Sequence, residues 1–180
     1  MSVFFTSDNH FGHANIIKYC NRPYLSTEDM DEDLIDRWNK RVGQNDTVFI
    51  TGDMIFRLNG NPEELLEKLK GKKHLIIGNH DSYWMKHVNL NKYFQSVNSY
   101  LETTDGQHRL IFSHYPMLSW NHQRKSYMIH GHIHNDTSMD YWPMIKARDN
   151  LLNAGVDVNN FEPVSLEELI KNNRKFKENH

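Results

Sequence analysis

Three imidazoles alternate in the stretch His130-Gly131-His132-Ile133-His134, with a glycine between the first two. Side chains two residues apart in an extended chain point to the same side, so these rings can converge on one small volume. Imidazole is the commonest side-chain ligand for transition metals, and Gly131 lacks the Cβ that would keep the backbone away from an ion. The stretch alone is equally typical of a histidine-rich turn, so its interpretation depends on the rest of the chain.

Three short apolar runs in the first half of the chain each lead into polar residues. We predict buried strands at Val3-Phe4-Phe5, Thr47-Val48-Phe49-Ile50 and His74-Leu75-Ile76-Ile77. The polar residues that follow them are Asp8-Asn9-His10, Gly52-Asp53 and Gly78-Asn79-His80-Asp81. Because open α/β sheets bind ligands beyond the carboxyl ends of their strands, we expect these side chains to meet at one edge.

The second half of the chain predicts a hairpin and a further strand. Asp105-Gly106 is a hairpin-type turn, so we expect antiparallel pairing on either side of it. The run from Arg109 to Phe112 leads to His114, and Ser126-Tyr127-Met128-Ile129 leads to the alternating histidines. Between them, the loop from Tyr115 to Lys125 is aromatic and basic and could form either a pocket wall or plain surface.

Local signals predict where several helices begin and where the C-terminal tail loses regular structure. Ser26 or Thr27 caps a helix, Asn61-Pro62 begins another, and Ser165 with Glu168 forms a capping box. The polar tail from about Lys171 is expected to fray.

Length and composition restrict the class of protein. A chain of 180 residues predicts a single domain over 1–180. A net charge of -2 gives no reason to expect a stable complex with nucleic acid, and no apolar run approaches the roughly 20 residues that span a bilayer, so we expect no membrane association. The single cysteine, Cys20, fits a reducing compartment, so we expect a cytoplasmic protein whose metal ligands are nitrogen and oxygen.

The polar residues at the strand ends form a set that a mononuclear site does not explain. They are Asp8, His10, Asp53, Asn79, His80, His114, His132 and His134. Two divalent cations about 3.5–4 Å apart need a carboxylate between them and further nitrogen or oxygen donors around each. Asp53, in the middle of the set, is the natural bridge. Mixed His, Asp and Asn sites more often stay open and catalytic than sites built from cysteine.

The motifs Asp8-x-His10, Gly52-Asp53, Gly78-Asn79-His80-Asp81, His114 and Gly131-His132-x-His134 resemble, in order, those of the calcineurin-like metallophosphoesterases. The similarity covers roughly Val3 to Val164 and is greatest to small single-domain microbial members, which share the opening His10-Phe11-Gly12-His13. It implies an α/β fold of two packed mixed β-sheets flanked by helices, a four-layer α/β/β/α sandwich. One departure is that Met54-Ile55-Phe56 follows Asp53, where the family often has charged or polar residues.

The resemblance also implies a role for each of these residues. It assigns Asp8, His10, Asp53 and His134 to one metal ion, and Asp53, Asn79, His114 and His132 to the other. A hydroxide bound by both ions would attack phosphorus, and His80, which binds neither ion and is tied to Asp81, would protonate the leaving alkoxide as general acid. Asp81 could alternatively cap a helix.

Several other residues have more than one possible role. His13 and His130 could support the metal ligands, face the substrate phosphate or be structural, and we favour a structural role for His130. Arg22, Arg57 and Arg124 could clamp a substrate phosphate, although each is more typical of a surface residue.

The predicted function is therefore metal-dependent hydrolysis of phosphodiester or phosphomonoester bonds in a small phosphate ester or nucleotide. The two divalent ions could be Mn, Fe, Zn, Ni or Co, with Mn favoured. The alternatives are a nucleotide pyrophosphohydrolase, a non-catalytic metal-binding scaffold that would be expected to have lost ligands, and a mononuclear oxygenase that would leave Asp53 and Asn79 unexplained. The pattern does not predict the oligomeric state.

Overall fold

A computed structural model describes residues 1–56 and 60–180 and contains two four-stranded β-sheets. The strands are β1 (Val3–Thr6), β2 (Thr47–Ile50), β3 (Lys72–Ile76), β4 (Phe94–Asn98), β5 (Tyr100–Thr104), β6 (Arg109–Ser113), β7 (Ser126–His130) and β8 (Leu151–Asn153). The helices are α1 (Ala14–Tyr19), α2 (Thr27–Arg41), α3 (Pro62–Lys68), α4 (Leu90–Tyr93), α5 (Trp142–Lys146) and α6 (Leu166–Asn179). A 3-10 helix spans Trp84–His87.

The two sheets differ in strand direction. The first has the order β1-β2-β3-β4 and is parallel throughout, whereas the second, β5-β6-β7-β8, begins with an antiparallel pair and continues in parallel. The antiparallel pairing predicted around Asp105-Gly106 is therefore confirmed. Two packed sheets with flanking helices match the predicted fold, although only the second sheet is mixed. In both sheets the parallel strands deliver their carboxyl ends to one edge.

Apolar side chains form three layers of core. Between the sheets, Phe5 and Phe49 stack with Phe112 from the opposite sheet, with ring centroids 6.0 and 4.7 Å from it. The outer face of the first sheet packs against α1, α2 and α3 through residues such as Trp38, which is fully buried. The outer face of the second packs against α5 through Trp142. These layers hold the strand ends in fixed relative positions.

The local helix signals are confirmed where they were predicted. The Ser26 side chain accepts a hydrogen bond from the backbone N–H of Asp29 at 3.1 Å, and Asn61 accepts one at the start of α3. Ser165 and Glu168 form the capping box of α6. Each side chain satisfies an N–H group that the first helical turn leaves without a partner.

The chain does not fray from Lys171, because α6 continues to Asn179. Asn173 donates to the backbone oxygens of Asn153 and Leu169, and the buried ammonium of Lys177 donates to the carbonyls of Arg148 and Leu151. The polar sequence is therefore anchored by polar contacts to β8. Among the helices of the described residues, none is long and apolar enough to cross a membrane.

Candidate metal centre

Backbone hydrogen bonds join the loops that follow the strands of the two sheets. The N–H groups of Asp8 and His10 donate to the carbonyls of Gly52 and Asp53, both at 3.0 Å. In the second sheet, the N–H of Gly131 donates to the carbonyl of His114 at 3.0 Å. The Asp8 carboxylate then connects the sheets, because both of its oxygens accept the N–H of His132 at 3.0 Å.

Asp8, His10 and His134 form the first group of potential metal donors. Each offers one ligand atom, and these atoms lie within 4.8 Å of one another. Asp8 and His10 are fully buried, whereas His134 is half-buried at the cavity wall. The first donor group therefore combines a carboxylate with two imidazoles from both sheets.

Asp53, His114 and His132 form the second donor group, with their ligand atoms also within 4.8 Å of one another. The amide oxygen of Asn79 lies 3.0 Å from Nε2 of His114 and 3.1 Å from Nδ1 of His132, so it belongs to this group. All seven residues predicted to bind metal thus converge at the strand ends.

The donor atoms present suit divalent metal ions. Nε2 of His10 is buried and has no hydrogen-bond partner in the described part of the chain, although it faces Oδ2 of Asp53 at 3.6 Å. A buried polar atom without a partner is costly unless something else satisfies it. Carboxylate, imidazole and amide donors are the mixture that Mn, Fe, Zn, Co and Ni accept.

Partners on the far side of the rings orient two of the histidines. Nδ1 of His114 lies 2.8 Å from the carbonyl of Thr51, which turns Nε2 towards Asp53. Nδ1 of His134 lies 2.8 Å from Oδ2 of Asp157. Such contacts fix the tautomer and the ring orientation of metal-binding histidines.

Sequence reasoning missed Asp157. This residue follows β8 after Gly155, so the same sequence of strand, glycine and polar residue that drew attention to Asp53 is present here too. The apolar pair Leu151-Leu152 is enough to predict a strand before Gly155, so the sequence carries a signal for Asp157.

Arg22 does not clamp phosphate in this structure, because its guanidinium is buried and fully engaged. Nε and Nη2 donate to the two oxygens of Asp157 at 2.8 and 3.0 Å, and the Nη atoms also donate to the carbonyls of Asn9 and Asp8. Arg22 therefore fixes Asp157, which in turn contacts His134. The expectation of an ordinary surface residue is wrong for Arg22, and its engaged guanidinium does not fit the alternative of a phosphate clamp.

Asp81 has a different environment from the one predicted. Its buried carboxylate accepts four N–H groups: the backbone N–H of Asp53 and Gly78 on Oδ2 at 2.9 and 2.8 Å, and those of Met54 and the Trp84 indole on Oδ1 at 2.9 and 2.8 Å. None of these bonds reaches the His80 ring, so the predicted tie between the two side chains is not found among the described residues. Asp81 instead joins the loop after β2 to the loop after β3.

His80 lies beside the two donor groups and borders an open cavity. Its backbone N–H donates to Oδ1 of Asp53 at 2.8 Å, while its ring makes no hydrogen bond within the described residues. The ring centroid is 5.4 Å from that of His10 and 5.2 Å from that of Phe56. The cavity has a volume of about 880 Å³, and its wall includes Tyr19.

Left-handed backbone is concentrated at the site. Five of the seven donor residues have φ between 49° and 73°: Asp8, His10, Asp53, His132 and His134. Non-glycine residues rarely adopt this conformation, and it clusters at functional sites. The adjoining glycines are tightly enclosed: a Cβ on Gly131 would lie 2.0 Å from Oγ of Ser7, and one on Gly78 would lie 2.3 Å from Oδ1 of Asp53.

The electrostatics of the cluster leave two imidazoles protonated near neutral pH. Burial alone would lower the pKa of His114, but the hydrogen bond to Asp53 and the charge of Asp8 outweigh it and raise the pKa to about 9. For His134, Asp8 and Asp157 likewise outweigh burial and raise the pKa to about 11. Burial would raise the pKa of Asp53, yet His114 lowers it to about 2. The acidic groups thus attract positive charge to this volume.

The other residues singled out in the sequence lie at different distances from the donor groups. Tyr115 packs edge-on against His132, with ring centroids 4.6 Å apart, so the start of the Tyr115–Lys125 loop borders the site. Arg124 instead lines a separate cavity near the start of β7. His130 is fully buried, and its Nδ1 lies 2.9 Å from the carbonyl of Gly131, which fits the favoured structural reading. Arg57 lies outside the described residues.

Comparisons with known proteins identify the family of the chain. The sequence profile of the calcineurin-like phosphoesterases matches residues 1–179. The uncharacterized protein MJ1445 of Methanocaldococcus jannaschii is 36% identical over 173 residues, covering 94% of this chain and 89% of its own length. The Gene 66 protein of Mycobacterium phage D29 is 27% identical over 163 residues, covering 74% of this chain and 79% of its own.

A solved structure shares the fold across nearly the whole chain. The crystal structure of AQ665 from Aquifex aeolicus, a protein of unknown function, is similar with a TM-score of 0.72 and 25% sequence identity, covering 94% of this chain and 97% of that one. The family profile and the relative at 36% identity each match most of the chain. The chain therefore belongs to the calcineurin-like phosphoesterases, a family of metal-dependent enzymes.

Proposed function

We propose that the protein is a dinuclear phosphoesterase that hydrolyses phosphodiester or phosphomonoester bonds. The observation that carries this proposal is the position of Asp53, whose Oδ2 lies 3.6 Å from Nε2 of His10 and 3.3 Å from Nε2 of His114. One carboxylate oxygen thus faces both donor groups, as expected of a ligand that two ions share.

The seven donors divide into two sets around Asp53. One ion would be held by Asp8, His10, Asp53 and His134, and the other by Asp53, Asn79, His114 and His132. When bound, two divalent cations neutralise phosphoryl charge and lower the pKa of water towards 7, which makes hydrolysis feasible at neutral pH. We favour Mn as the first ion to test because carboxylate and amide oxygens suit it, while the imidazoles of the same site suit Fe, Zn and Ni, and the donor set also accepts Co.

His80 is proposed as the general acid. Its ring borders the cavity beside the donor groups, and no hydrogen bond from the described residues occupies its nitrogens. The ring is therefore available to deliver a proton to a leaving alkoxide, a transfer worth roughly 10²–10⁴ in rate. Asp81 takes no part in the proton transfer and acts by holding the loop that carries His80.

The cavity suits a small ester with organic groups. Its volume of about 880 Å³ lies within the range of small-molecule sites. Apolar surface is available along the wall, where Tyr19 is 73% exposed and Met139 is 46% exposed. A small phosphate ester or a nucleotide can place its phosphate at the donor groups and its organic part against these side chains.

The experiment is a substrate screen of metal-reconstituted protein with four probes: bis-p-nitrophenyl phosphate, p-nitrophenyl phosphate, a cyclic nucleotide and a dinucleoside polyphosphate. We expect metal-dependent turnover of the esters, and His132→Ala should reduce metal content and activity together. A clear preference for the dinucleoside polyphosphate would favour a pyrophosphohydrolase instead. Lack of metal-dependent turnover with all four would contradict the proposal.

A further inference from the structure

The segment His10-Phe11-Gly12-His13 brings two imidazoles into direct contact. Nδ1 of His10 lies 3.2 Å from Nδ1 of His13. A tight turn causes this contact: the backbone N–H of His13 donates to the carbonyl of His10 at 3.0 Å, and Gly12 has a φ of 78°. The N–H of Gly12 donates to both carboxylate oxygens of Asp31, at 3.1 and 3.0 Å. The turn is therefore anchored to α2.

One face of the His13 ring is covered by an aromatic side chain. Phe56 stacks on it with ring centroids 3.8 Å apart and an angle of 16° between the planes. The backbone N–H of Phe56 donates to the carbonyl of Phe11 at 3.0 Å, which places the backbone of Phe56 beside the turn. Phe56, the last of the apolar residues after Asp53 that depart from the family pattern, thus forms a wall against His13.

The contact between the two nitrogens requires one N–H donor and one nitrogen without hydrogen. Nε2 of His10 is the atom that faces Asp53 and lacks a hydrogen-bond partner among the described residues. If Nε2 binds metal, the ring proton is on Nδ1, and Nδ1 of His13 is the acceptor. Metal-binding histidines usually donate this second N–H to a carboxylate, a carbonyl or water. Here an imidazole occupies that place.

We propose that His13 is a positioning residue that holds His10 in its metal-binding tautomer and ring orientation. The inference rests on the proposed metal centre, and it gives His13 a role separate from proton transfer by His80. The aromatic stack and the Gly12 turn hold the acceptor nitrogen in place, so little conformational entropy is lost when the hydrogen bond forms.

A matched pair of variants tests the acceptor. Asparagine and leucine have side chains of similar shape, but only asparagine offers an oxygen that can accept the N–H of His10. Zinc titration of metal-free protein should show that His13→Leu weakens one binding step about 10–100-fold, whereas His13→Asn keeps that step within about threefold of wild type. The other step should be unchanged in both, and His87→Leu at an exposed histidine should alter neither.

Ring-nitrogen NMR of the metal-free protein gives a second readout that a packing role alone would not move, because zinc on Nε2 would itself place the His10 proton on Nδ1 in every variant. Wild type and His13→Asn should carry the His10 proton on Nδ1, whereas His13→Leu should show another tautomer or an averaged signal. Equal weakening by asparagine and leucine, or no weakening by either, would overturn the proposed role of His13. Wild-type protein that bound no zinc would overturn the metal centre itself, which separates the two failures.

Discussion

Replacement of Asp81 by asparagine separates a catalytic role from a positioning role. The carboxylate is fully buried and accepts four N–H groups, two on each oxygen. An asparagine has one carbonyl oxygen and one NH₂ group, so it can keep one pair of these bonds and must turn a donor towards the other pair. The loops that carry Asp53 and Gly78 would then lose part of their connection.

The expected magnitude follows from the two bonds lost. Hydrogen bonds to a charged group contribute about 1.5–3 kcal/mol each, so Asp81→Asn should lower the free energy of unfolding by about 3–6 kcal/mol. For a chain of this length, that corresponds to a fall in Tm of roughly 6–24 °C. Such a loss is a large fraction of the roughly 5–15 kcal/mol typical of a folded domain.

Urea unfolding followed by circular dichroism measures this change on metal-free protein. The control is Asp36→Asn at an exposed position of α2, which should change the free energy of unfolding by no more than about 0.5 kcal/mol. Turnover of the metal-loaded variants, measured well below the Tm, completes the comparison. If Asp81→Asn kept wild-type stability yet lost more than about 100-fold in kcat, the positioning role would be wrong. Asp81 would then act through His80.

Three further predictions concern the same edge of the sheets. His80→Ala should retain metal but lose about 10²–10⁴ in kcat with a poor leaving group and much less with p-nitrophenolate; equal losses would refute the general-acid role. Gly131→Ala should lower the free energy of unfolding in urea by about 2–3 kcal/mol or more, because the added methyl group would lie 2.0 Å from Oγ of Ser7. The control Gly60→Ala should be tolerated, because a methyl group there meets nothing within 4 Å. His114 and His134 have pKa values of about 9 and 11 without metal and are protonated at pH 7, so metal binding should release about two protons and should tighten as pH rises. Calorimetry in buffers of different ionisation enthalpy measures the number of protons released, and a value of zero would contradict this prediction.

Local patterns in the sequence were sufficient to predict many elements of the fold. The caps Ser26, Asn61 and Ser165 begin their helices as predicted, because a cap depends on contacts within one turn. The hairpin turn at Asp105-Gly106 is likewise decided by adjacent residues. The polar sequence after Lys171 predicts a frayed end, but α6 stays ordered there because Asn173 and Lys177 bond to the backbone of β8.

The candidate site divides in the same way. Alternation and strand-end position identified eight polar residues, since parallel strands must deliver their carboxyl ends to one edge, and the family resemblance assigned seven of them as metal donors. The sequence pattern could not predict which partners the residues around the donors would contact. Asp81 has the type and position of a partner for His80, yet its oxygens bond to the loops that carry Gly78 and Asp53.

The sequence by itself determined which side chains are available as donors and which strand ends carry them, because both follow from residue type and local periodicity. Only the tertiary structure decided which partner each polar group takes. Arg22 and Asp157 lie 135 residues apart in the chain and meet at 2.8 Å beneath His134. No local signal encodes that meeting. It arises because burial removes water as a partner, so each buried charge must pair with whatever complementary group the packed sheets and loops bring within reach.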